Sequence, residues 1–345
     1  MKNIFFIGTI IFLFSACQKE DITFSPNTKD LFYIKHKGAS MPVLVEGNTI
    51  QKAFILVVHG GPGSDAILTM NGSFMDILEK NYAVAYWDQR NSGNTQGGAN
   101  HNNLNLKTMT EDLRVVILTL KHRYGNNISI FLYSHSFGGC LSASFLTTND
   151  NQNLVNGWIN IDGAHNFPLT DMESKAMQIQ LGTIEKNAGR NIAEWTKIID
   201  YANNNDPRKN SKTSEKFNEN AYSAIKLMEE VNKIEFPKTN DLSYSQNSLM
   251  SRLMNFKSIY FNSGMEQELF NAEFSSKLNT ISKPTLCLFG KYDFVVPPAL
   301  ADDVINNIGS SYKKKVIFEK SAHDPYLTET TKLNMEIIDF IEKFK

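Results

Sequence analysis

Short apolar runs alternate with helical patterns along the first half of the chain. The runs AFILVV, AVAYW, ISIFLY and GWINI are five or six residues long and nearly free of polar side chains. Continuous apolar runs of this length are typical of strands buried on both faces of a sheet. The helical pattern MTEDLRVVILTLKHRY is expected to be capped by Thr110 and to end at Gly125. Strands that alternate with helices predict an α/β fold with a mostly parallel sheet flanked by helices.

A helical block interrupts this alternation. From residue 165 to residue 282 the apolar residues follow helical spacing, and no buried strand is indicated. The alternation resumes with KPTLCLFGKYD and closes with an amphipathic helix. We therefore expect a core made of residues 31–164 and 283–345. The block at residues 165–282 is expected to be a helical lid inserted between main strands 6 and 7.

The N-terminal residues have the pattern of an export signal. Lys2 precedes an apolar run at residues 4–14, and two small residues separate that run from Cys17. The run is too short to span a bilayer comfortably. Residues 1–16 therefore resemble the signal peptide of a bacterial lipoprotein. An ordinary secretory peptide followed by a coincidental cysteine is the alternative.

The lipoprotein resemblance has consequences for location. It implies that Cys17 is lipidated and becomes the mature N-terminus, and that residues 17–30 form a polar tether. The membrane partner is then the outer membrane, with the protein facing either the periplasm or the cell surface.

Composition limits the partners that the protein is expected to have. The 345 residues are 41% hydrophobic and carry a net charge of −1, which suits a globular enzyme and gives no reason to expect nucleic acid as a partner. Cys140 and Cys287 lie in apolar segments, so we expect buried free thiols. No cluster of cysteine and histidine has the spacing of metal ligands, and we expect no metal site.

The segment FLYSHSFGGC places Ser136 where a buried strand passes into a helix. In a nucleophile elbow, G-x-S-x-G, a strained turn holds the serine hydroxyl above the sheet. Gly138 fills the second glycine position, and Ser134 replaces the first. Serine is small enough to pack against the neighbouring strand. The segment therefore predicts that Ser136 is a nucleophile.

Two further candidates follow late strands, in the order serine, aspartate, histidine. Asp293 comes after LCLFGKY, and His323 comes after VIFEKSA. An imidazole in such a loop can take the serine proton, and a carboxylate can fix its tautomer. His135 as the base and Asp162 as the acid remain alternatives, because one adjoins Ser136 and the other ends the preceding strand.

The segment HGGPG, at residues 59–63, directly follows a buried strand. Glycines let the backbone approach a substrate closely, and backbone N–H groups can stabilise the negative charge of an acyl-transfer intermediate. We expect His59 to brace this loop. Asp88 and Arg90, at the end of the next strand, are expected to form a structural ion pair near the site.

The elbow, HGGPG, DQR and the late aspartate and histidine together resemble the α/β-hydrolase superfamily, and within it the prolyl-iminopeptidase-like branch. The resemblance covers both parts of the predicted core, and the lid matches in position alone. It implies an oxyanion hole made of the backbone N–H groups of Phe137 and Gly61, with Gly60 as the second choice.

An aminopeptidase of that branch needs buried carboxylates to hold the ammonium group of its substrate. The lid offers the pairs Glu229–Glu230 and Glu266–Glu268, and Glu230 and Glu266 are the candidates for substrate binding. Acids on a solvated helix face are the alternative interpretation of both pairs.

The sequence therefore predicts a serine hydrolase that cleaves an amide or ester bond of a small molecule or short peptide through an acyl-enzyme. Neither a metal nor an organic cofactor is expected. An aminopeptidase of prolyl-iminopeptidase type is favoured. A carboxylesterase on small acyl esters is the alternative within enzymes, and a non-catalytic surface binding lipoprotein is the alternative from another class.

Overall fold

The computed structural model of the chain describes residues 22–97, 103–234 and 264–345. Its eight strands form one sheet in the order β1-β2-β4-β3-β5-β6-β7-β8. β1 and β2 pair antiparallel, β2 and β4 also pair antiparallel, and the other pairs are parallel. The strands are β1 (Thr28–His36), β2 (Ala39–Gly47), β3 (Ala53–Val58), β4 (Ala83–Trp87), β5 (Ser129–His135), β6 (Gly157–Ile161), β7 (Thr285–Gly290) and β8 (Lys313–Phe318).

Helices cover both faces of this sheet, which confirms the predicted α/β architecture. Short 3-10 turns supplement the α-helices. The α-helices of the described residues are α1 (Asp76–Asn81), α2 (Leu106–Tyr124), α3 (Phe137–Leu146), α4 (Phe167–Asn187), α5 (Ile192–Asn204), α6 (Ser211–Glu230), α7 (Met265–Phe270), α8 (Ala299–Asn307), α9 (Pro325–Thr328) and α10 (Thr330–Phe344).

Two apolar cores lie on opposite faces of the sheet. Side chains of α2, α3 and α8 pack on one face, and side chains of α1 and α10 pack on the other. β3, β4, β5, β6 and β7 are buried along almost their whole length because they are covered on both faces, as their apolar sequences predict. Cys140 and Cys287 are buried free thiols within these layers, as expected.

The start of α2 differs from the prediction. The helix begins at Leu106, and the side chain of Asn105 caps it by accepting a hydrogen bond from the N–H of Thr108 at 2.8 Å. Thr110 already lies inside the helix, where its hydroxyl donates to the carbonyl of Leu106 at 2.8 Å. The prediction of Thr110 as the cap is therefore wrong, because a usable cap lies five residues earlier. Gly125 ends the helix as expected, with φ at 104°.

Between β6 and β7, at the place where the lid is predicted, the described residues contain four helices, α4 to α7. Part of the predicted lid, residues 235–263, lies outside the described residues. α5 and α6 bury their own apolar cluster around Trp195, Ala221 and Met228, and this cluster reaches the core at Phe294 and Ala322. In the described parts of the chain, no helix is long and apolar enough to cross a membrane.

The first turn of α3 approaches the strands beneath it so closely that side chains are excluded. A Cβ atom on Gly138 would lie 1.9 Å from the carbonyl oxygen of Val58, and one on Gly139 would lie 2.6 Å from the Cα of Gly163. Ser134 fits in the same space, with its hydroxyl 2.6 Å from that of Ser142. The serine that replaces the first glycine of the elbow is thus accommodated.

This contact generates a stability prediction. Gly138→Ala should destabilise the fold by about 2–4 kcal/mol, because overpacking against backbone outweighs the roughly 1 kcal/mol that alanine gains over glycine in a helix. Gly189→Ala is the matched control. The φ of 77° at Gly189 disfavours alanine, but an added Cβ would meet nothing within 4 Å. The loss of stability should therefore stay at about 1–2 kcal/mol. Chemical denaturation measures both, and equal losses would contradict the close-packing explanation.

Candidate active site

Ser136 occupies the sharp turn between β5 and α3. Its backbone has φ 55° and ψ −122°, which a non-glycine residue rarely adopts. Hydrogen bonds hold the turn, since its N–H donates to the carbonyl of Ile161 at 3.2 Å and its carbonyl accepts from the N–H of Gly139 at 2.9 Å. The strained turn therefore has the geometry of a nucleophile elbow.

Three side chains from separate loops form a hydrogen-bonded chain at this turn. Nε2 of His323 lies 2.9 Å from Oγ of Ser136, and Nδ1 of His323 lies 2.8 Å from Oδ2 of Asp293. The other carboxylate oxygen of Asp293 accepts from the N–H groups of Val295 and Val296 at 2.8 and 2.9 Å. The carboxylate is thus fixed in place. The imidazole can donate from Nδ1 and accept the serine proton at Nε2.

The surroundings of His323 favour its protonated form. Burial acts against the charge, but the attraction of Asp293 and the hydrogen bond to it, with a smaller contribution from Asp324, prevail and raise the pKa of His323. A base with a raised pKa holds an abstracted proton more firmly. It also remains an acid strong enough to pass that proton to a leaving group.

His135, the alternative base, does not contact the serine hydroxyl. Its Nε2 lies 2.9 Å from the carbonyl oxygen of His323, and the two rings pack with centroids 4.9 Å apart. Burial first, and then the neighbouring His323, lower the pKa of His135 to about 4. The ring is therefore neutral at ordinary pH, and its N–H donates to the backbone that carries His323.

Asp162, the alternative acid, makes a different contact. Its Oδ1 accepts from the N–H of Gly290 at 2.8 Å, whereas the imidazole bonds Asp293. Burial, and then the charge of Asp293, raise the pKa of Asp162 well above its usual range. A carboxyl group that stays neutral cannot stabilise an imidazolium as a carboxylate does.

The loop HGGPG lies directly beside the elbow. Gly61 has φ 110°, a conformation that glycine alone adopts easily, and a Cβ on Gly60 would lie 2.9 Å from the Cβ of Ser136. Nδ1 of His59 lies 2.8 Å from the carbonyl of Gly60, and its Nε2 accepts from the N–H of Gln89 at 3.1 Å. His59 thus braces this loop, as predicted.

Asp88 and Arg90 do not pair with each other, so that prediction is wrong. Arg90 donates from Nε and Nη2 to the two carboxylate oxygens of Asp112 on α2, at 2.5 and 2.7 Å. Asp88 accepts from the backbone N–H groups of residues 66, 67 and 94. The carboxylate of Asp88 thus orders the loop after HGGPG, whereas the guanidinium of Arg90 ties the segment after β4 to α2.

A cleft of about 210 Å³ opens above the elbow. Ser136, Phe137 and Gly61 all line it, so the predicted nucleophile and both predicted oxyanion donors share this cavity. The remaining wall comes from the α4–α7 segment and from the loop after β7, and it combines apolar with acidic side chains. They include Phe167, Phe217, Leu269, Phe270, Val295 and Val296, and the acids Asp171, Glu215, Glu219 and Glu266.

The two predicted substrate carboxylates have different positions. Glu266, in the first turn of α7, lies at the cleft. Glu230, at the end of α6, is exposed and accepts from Nδ2 of Asn191 at 3.2 Å. Glu230 is therefore not a cleft residue, which corrects that prediction. Glu268 accepts from the N–H of Leu106 and ties α7 to α2.

Asp171 is a cleft residue that the sequence did not indicate. Its carboxylate accepts from Arg208 at 2.6 Å and from the hydroxyl of Ser214 at 2.7 Å. It occupies an ordinary polar position in a helical pattern, and its partners lie 37 and 43 residues away. No local signal could have found it. Nowhere in the described ranges do three or more histidine, cysteine, aspartate or glutamate side chains form a group able to hold a metal ion.

Several known proteins are similar to this chain. The family model described as serine aminopeptidase, S33, matches residues 49–237. A Bacillus subtilis (strain 168) protein described as a probable aminopeptidase, YbaC, is 21% identical over 299 residues, which are 83% of this chain and 88% of that protein.

Solved structures share the fold at low identity. The proline iminopeptidase of Mycobacterium smegmatis is 12% identical with a TM-score of 0.62, over 91% of this chain and 98% of that one. An esterase from Exiguobacterium antarcticum is 17% identical with a TM-score of 0.56, over 90% of this chain and 98% of that one. At these identities the likeness establishes the α/β-hydrolase fold alone. Because the family model covers more than half of the 345 residues, the chain belongs to the serine aminopeptidase S33 family and is a serine hydrolase.

Proposed function

We propose that this serine hydrolase is an aminopeptidase of prolyl-iminopeptidase type, which removes an N-terminal proline or small residue through an acyl-enzyme. The observation that carries the proposal is the hydrogen-bonded chain from Asp293 through His323 to Ser136, which lines a cleft that also contains carboxylates. The family match and the aminopeptidase relative support the same activity.

In the first half of the reaction, Oγ of Ser136 attacks the substrate carbonyl carbon while Nε2 of His323 takes the hydroxyl proton. The carboxylate of Asp293 stabilises the resulting imidazolium. When the tetrahedral intermediate collapses, the bond between the carbonyl carbon and the leaving nitrogen breaks, and His323 donates the proton to that nitrogen. The acyl group remains on the serine.

In the second half, a water molecule takes the place of the leaving group. His323 removes a proton from it, the hydroxyl oxygen attacks the acyl carbon, and the ester bond to Ser136 breaks with return of the proton to Oγ. The backbone N–H groups of Phe137 and Gly61 are proposed to hold the oxyanion in both halves. Each such donor is commonly worth about 10²–10³ in rate.

The charge of the cleft supports an amine-bearing substrate. Asp171 is paired with Arg208, but Glu215, Glu219 and Glu266 also border the cavity. Glu219 lies 2.7 Å from Lys216 on the exposed side of α6. We propose that Glu266, which is partly buried, contacts the substrate ammonium group.

A carboxylesterase is the second candidate. Several of the lining side chains are apolar and could bind the acyl chain of a small ester, among them Phe167, Phe217, Leu269, Phe270, Val295 and Val296. The esterase from Exiguobacterium antarcticum shares the fold. A substrate comparison separates the two activities.

Substitution tests the roles of Ser136 and His323. Ser136→Ala and His323→Ala should each lower kcat by roughly 10³-fold or more, since either change removes the activated nucleophile. The double variant should be little worse than either single one, because the residues act as a unit. Steady-state kinetics with unchanged circular dichroism is the measurement, and multiplicative losses would contradict the assignment. Glu319→Gln, an exposed change in the loop before His323, is the control.

An aminopeptidase requires a free amine on its substrate. Pro-arylamide should exceed N-acetyl-Pro-arylamide by roughly 10- to 100-fold in kcat/KM, because blocking the amine removes a charge-assisted contact of about 1.5–3 kcal/mol. Glu266→Gln should erase part of that preference. Glu230→Gln, which alters an exposed carboxylate outside the cleft, should leave it unchanged.

The opposite outcomes of this comparison are equally informative. Equal cleavage of N-acetyl-Pro-arylamide and Pro-arylamide would contradict the proposed aminopeptidase activity. Turnover of p-nitrophenyl butyrate alone would favour the esterase, because an uncharged acyl group can lie against the apolar side chains of the cleft without the cost of desolvating a charge.

We further propose that lipid on Cys17 anchors the enzyme to the outer membrane, facing the periplasm or the cell surface. The support comes from the sequence, where a short apolar run and two small residues precede that cysteine. Each buried CH₂ of a lipid chain contributes about 0.8 kcal/mol to membrane binding.

Fractionation tests the anchor. Cys17→Ser should move the protein from the membrane fraction to the soluble one, whereas Gln18→Ala should leave it with the membrane. Retention of the Cys17→Ser protein in the membrane fraction would rule out the anchor. Intact-mass measurement of the wild-type protein should show the added lipid.

A further inference from the structure

A second cavity, of about 140 Å³, lies beside His323 and shares one lining residue, Tyr222, with the cleft. His323 lines this cavity, whereas Ser136 lines the larger cleft. Its other lining residues come from α6 and from the segment around His323: Tyr222, Ile225, Glu229, Ala322, Asp324 and Thr328.

Tyr222 lines both cavities and forms the boundary between them. Its ring meets the ring of His323 edge-on, with centroids 6.4 Å apart and planes at 89°. Tyr222, Ile225 and Glu229 follow one another at intervals of three and four residues, so they share one face of α6. Through Tyr222, that face lies against the imidazole of His323.

The chemistry of acyl transfer distinguishes the two cavities. The carbonyl carbon must lie at Oγ of Ser136, and the leaving atom must lie where Nε2 of His323 can give it a proton. The acyl part of the substrate therefore belongs to the cleft that Ser136 lines. The leaving group belongs on the side of the imidazole, where the second cavity opens.

We infer that the second cavity is the leaving-group subsite and that Glu229 and Asp324 make it selective for leaving groups that carry a positive charge. This inference rests on the proposed acyl-enzyme mechanism and defines the substrate class of the same site further. For a peptide, the charged group would be the side chain of a lysine that follows the cleaved residue. For an ester, it would be an alcohol that bears a quaternary ammonium group.

The charges around the cavity support a cation. No lysine or arginine is found among its lining residues in the described part of the chain. Oδ1 of Asp324 accepts from the hydroxyl of Tyr326 at 2.6 Å and lies 3.4 Å from Nε2 of His135, whose ring is neutral. Neither of these partners of Asp324 carries a positive charge.

Glu229 contributes the second carboxylate. Burial, partly offset by Lys226 on the same helix and reinforced by Glu230, raises the pKa of Glu229. A partly desolvated carboxylate gains more from a cation than a fully hydrated one does. An anionic leaving group would meet repulsion from both carboxylates in this cavity.

The dimensions suit one small group. A cavity of about 150 Å³ is large enough for a benzene ring. Ile225, Ala322 and the ring of Tyr222 offer apolar contact to an aliphatic stem, and the two carboxylates can receive its charged end. A lysine side chain or a choline group has this combination of an apolar stem and a cationic head.

Matched substrate pairs test the inference on the full-length protein. The first pair is Pro-Lys-amide against Pro-norleucine-amide, and the second is butyrylcholine against its uncharged isostere 3,3-dimethylbutyl butyrate. Within a pair the acyl-enzyme is the same, so a difference in kcat/KM reports the leaving group. We expect the cationic member to be preferred by roughly 5- to 20-fold in whichever series the enzyme hydrolyses.

Substitutions identify the carboxylates that cause the preference for a cationic leaving group. Glu229→Gln should reduce it several-fold and leave the uncharged member of each pair unchanged. Glu230→Gln alters the next carboxylate along α6, which is exposed and bonds Asn191, and should preserve the preference. Asp324→Asn gives an independent variant, since its amide oxygen can still accept from Tyr326, and it should also weaken the preference.

The outcomes separate this inference from the proposed function. Equal rates within a hydrolysed pair, or the same loss in Glu230→Gln as in Glu229→Gln, would overturn the leaving-group site and leave the hydrolase intact. Hydrolysis of neither series would overturn the proposed function and the subsite together. Loss of the preference in Glu229→Gln, with the preference retained in Glu230→Gln, would support the leaving-group site.

Discussion

The active site depends on the close approach of α3 to the strands beneath it. The carbonyl oxygen of Val58 occupies the space where a side chain on Gly138 would lie. Since Val58 ends β3 and HGGPG begins directly after it, this one contact sets both the elbow and the neighbouring loop. Ser136 and the proposed oxyanion donor Gly61 thus come together through backbone packing.

A similar close backbone contact positions the loop that carries His323. A Cβ on Gly290, at the end of β7, would lie 1.9 Å from the carbonyl oxygen of Ala322, which directly precedes His323. The N–H at Nδ1 of His323 also donates to Asp293, and the N–H of His135 donates to the backbone carbonyl of His323. Two loops without regular structure are therefore fixed at strand ends, which explains how a rigid chain of hydrogen bonds can form between them.

Features with a local cause could be predicted from the sequence. Buried strands need continuous apolar runs and the elbow needs small residues, so the sheet and the position of the serine turn followed from the pattern. Side-chain partners were not predictable in this way. Arg90 bonds Asp112 instead of Asp88, and the periodicity of α6 did not tell which of Glu229 and Glu230 faces a cavity. Such choices depend on tertiary packing, where neighbouring helical residues point about 100° apart.

The central claim is that Ser136 is a nucleophile activated by His323, and labelling with a fluorophosphonate as a function of pH tests it most directly. Oγ of Ser136 should displace fluoride from the probe and form one covalent adduct. Peptide mass spectrometry should locate this adduct on Ser136. The labelling rate should rise with pH through a midpoint above about 6.5, the ordinary pKa of histidine, because Asp293 and Asp324 raise the pKa of His323 against the effect of burial. An adduct on another residue, or a labelling rate that does not change with pH between 5 and 9 (about two units on either side of neutrality), would contradict the claim.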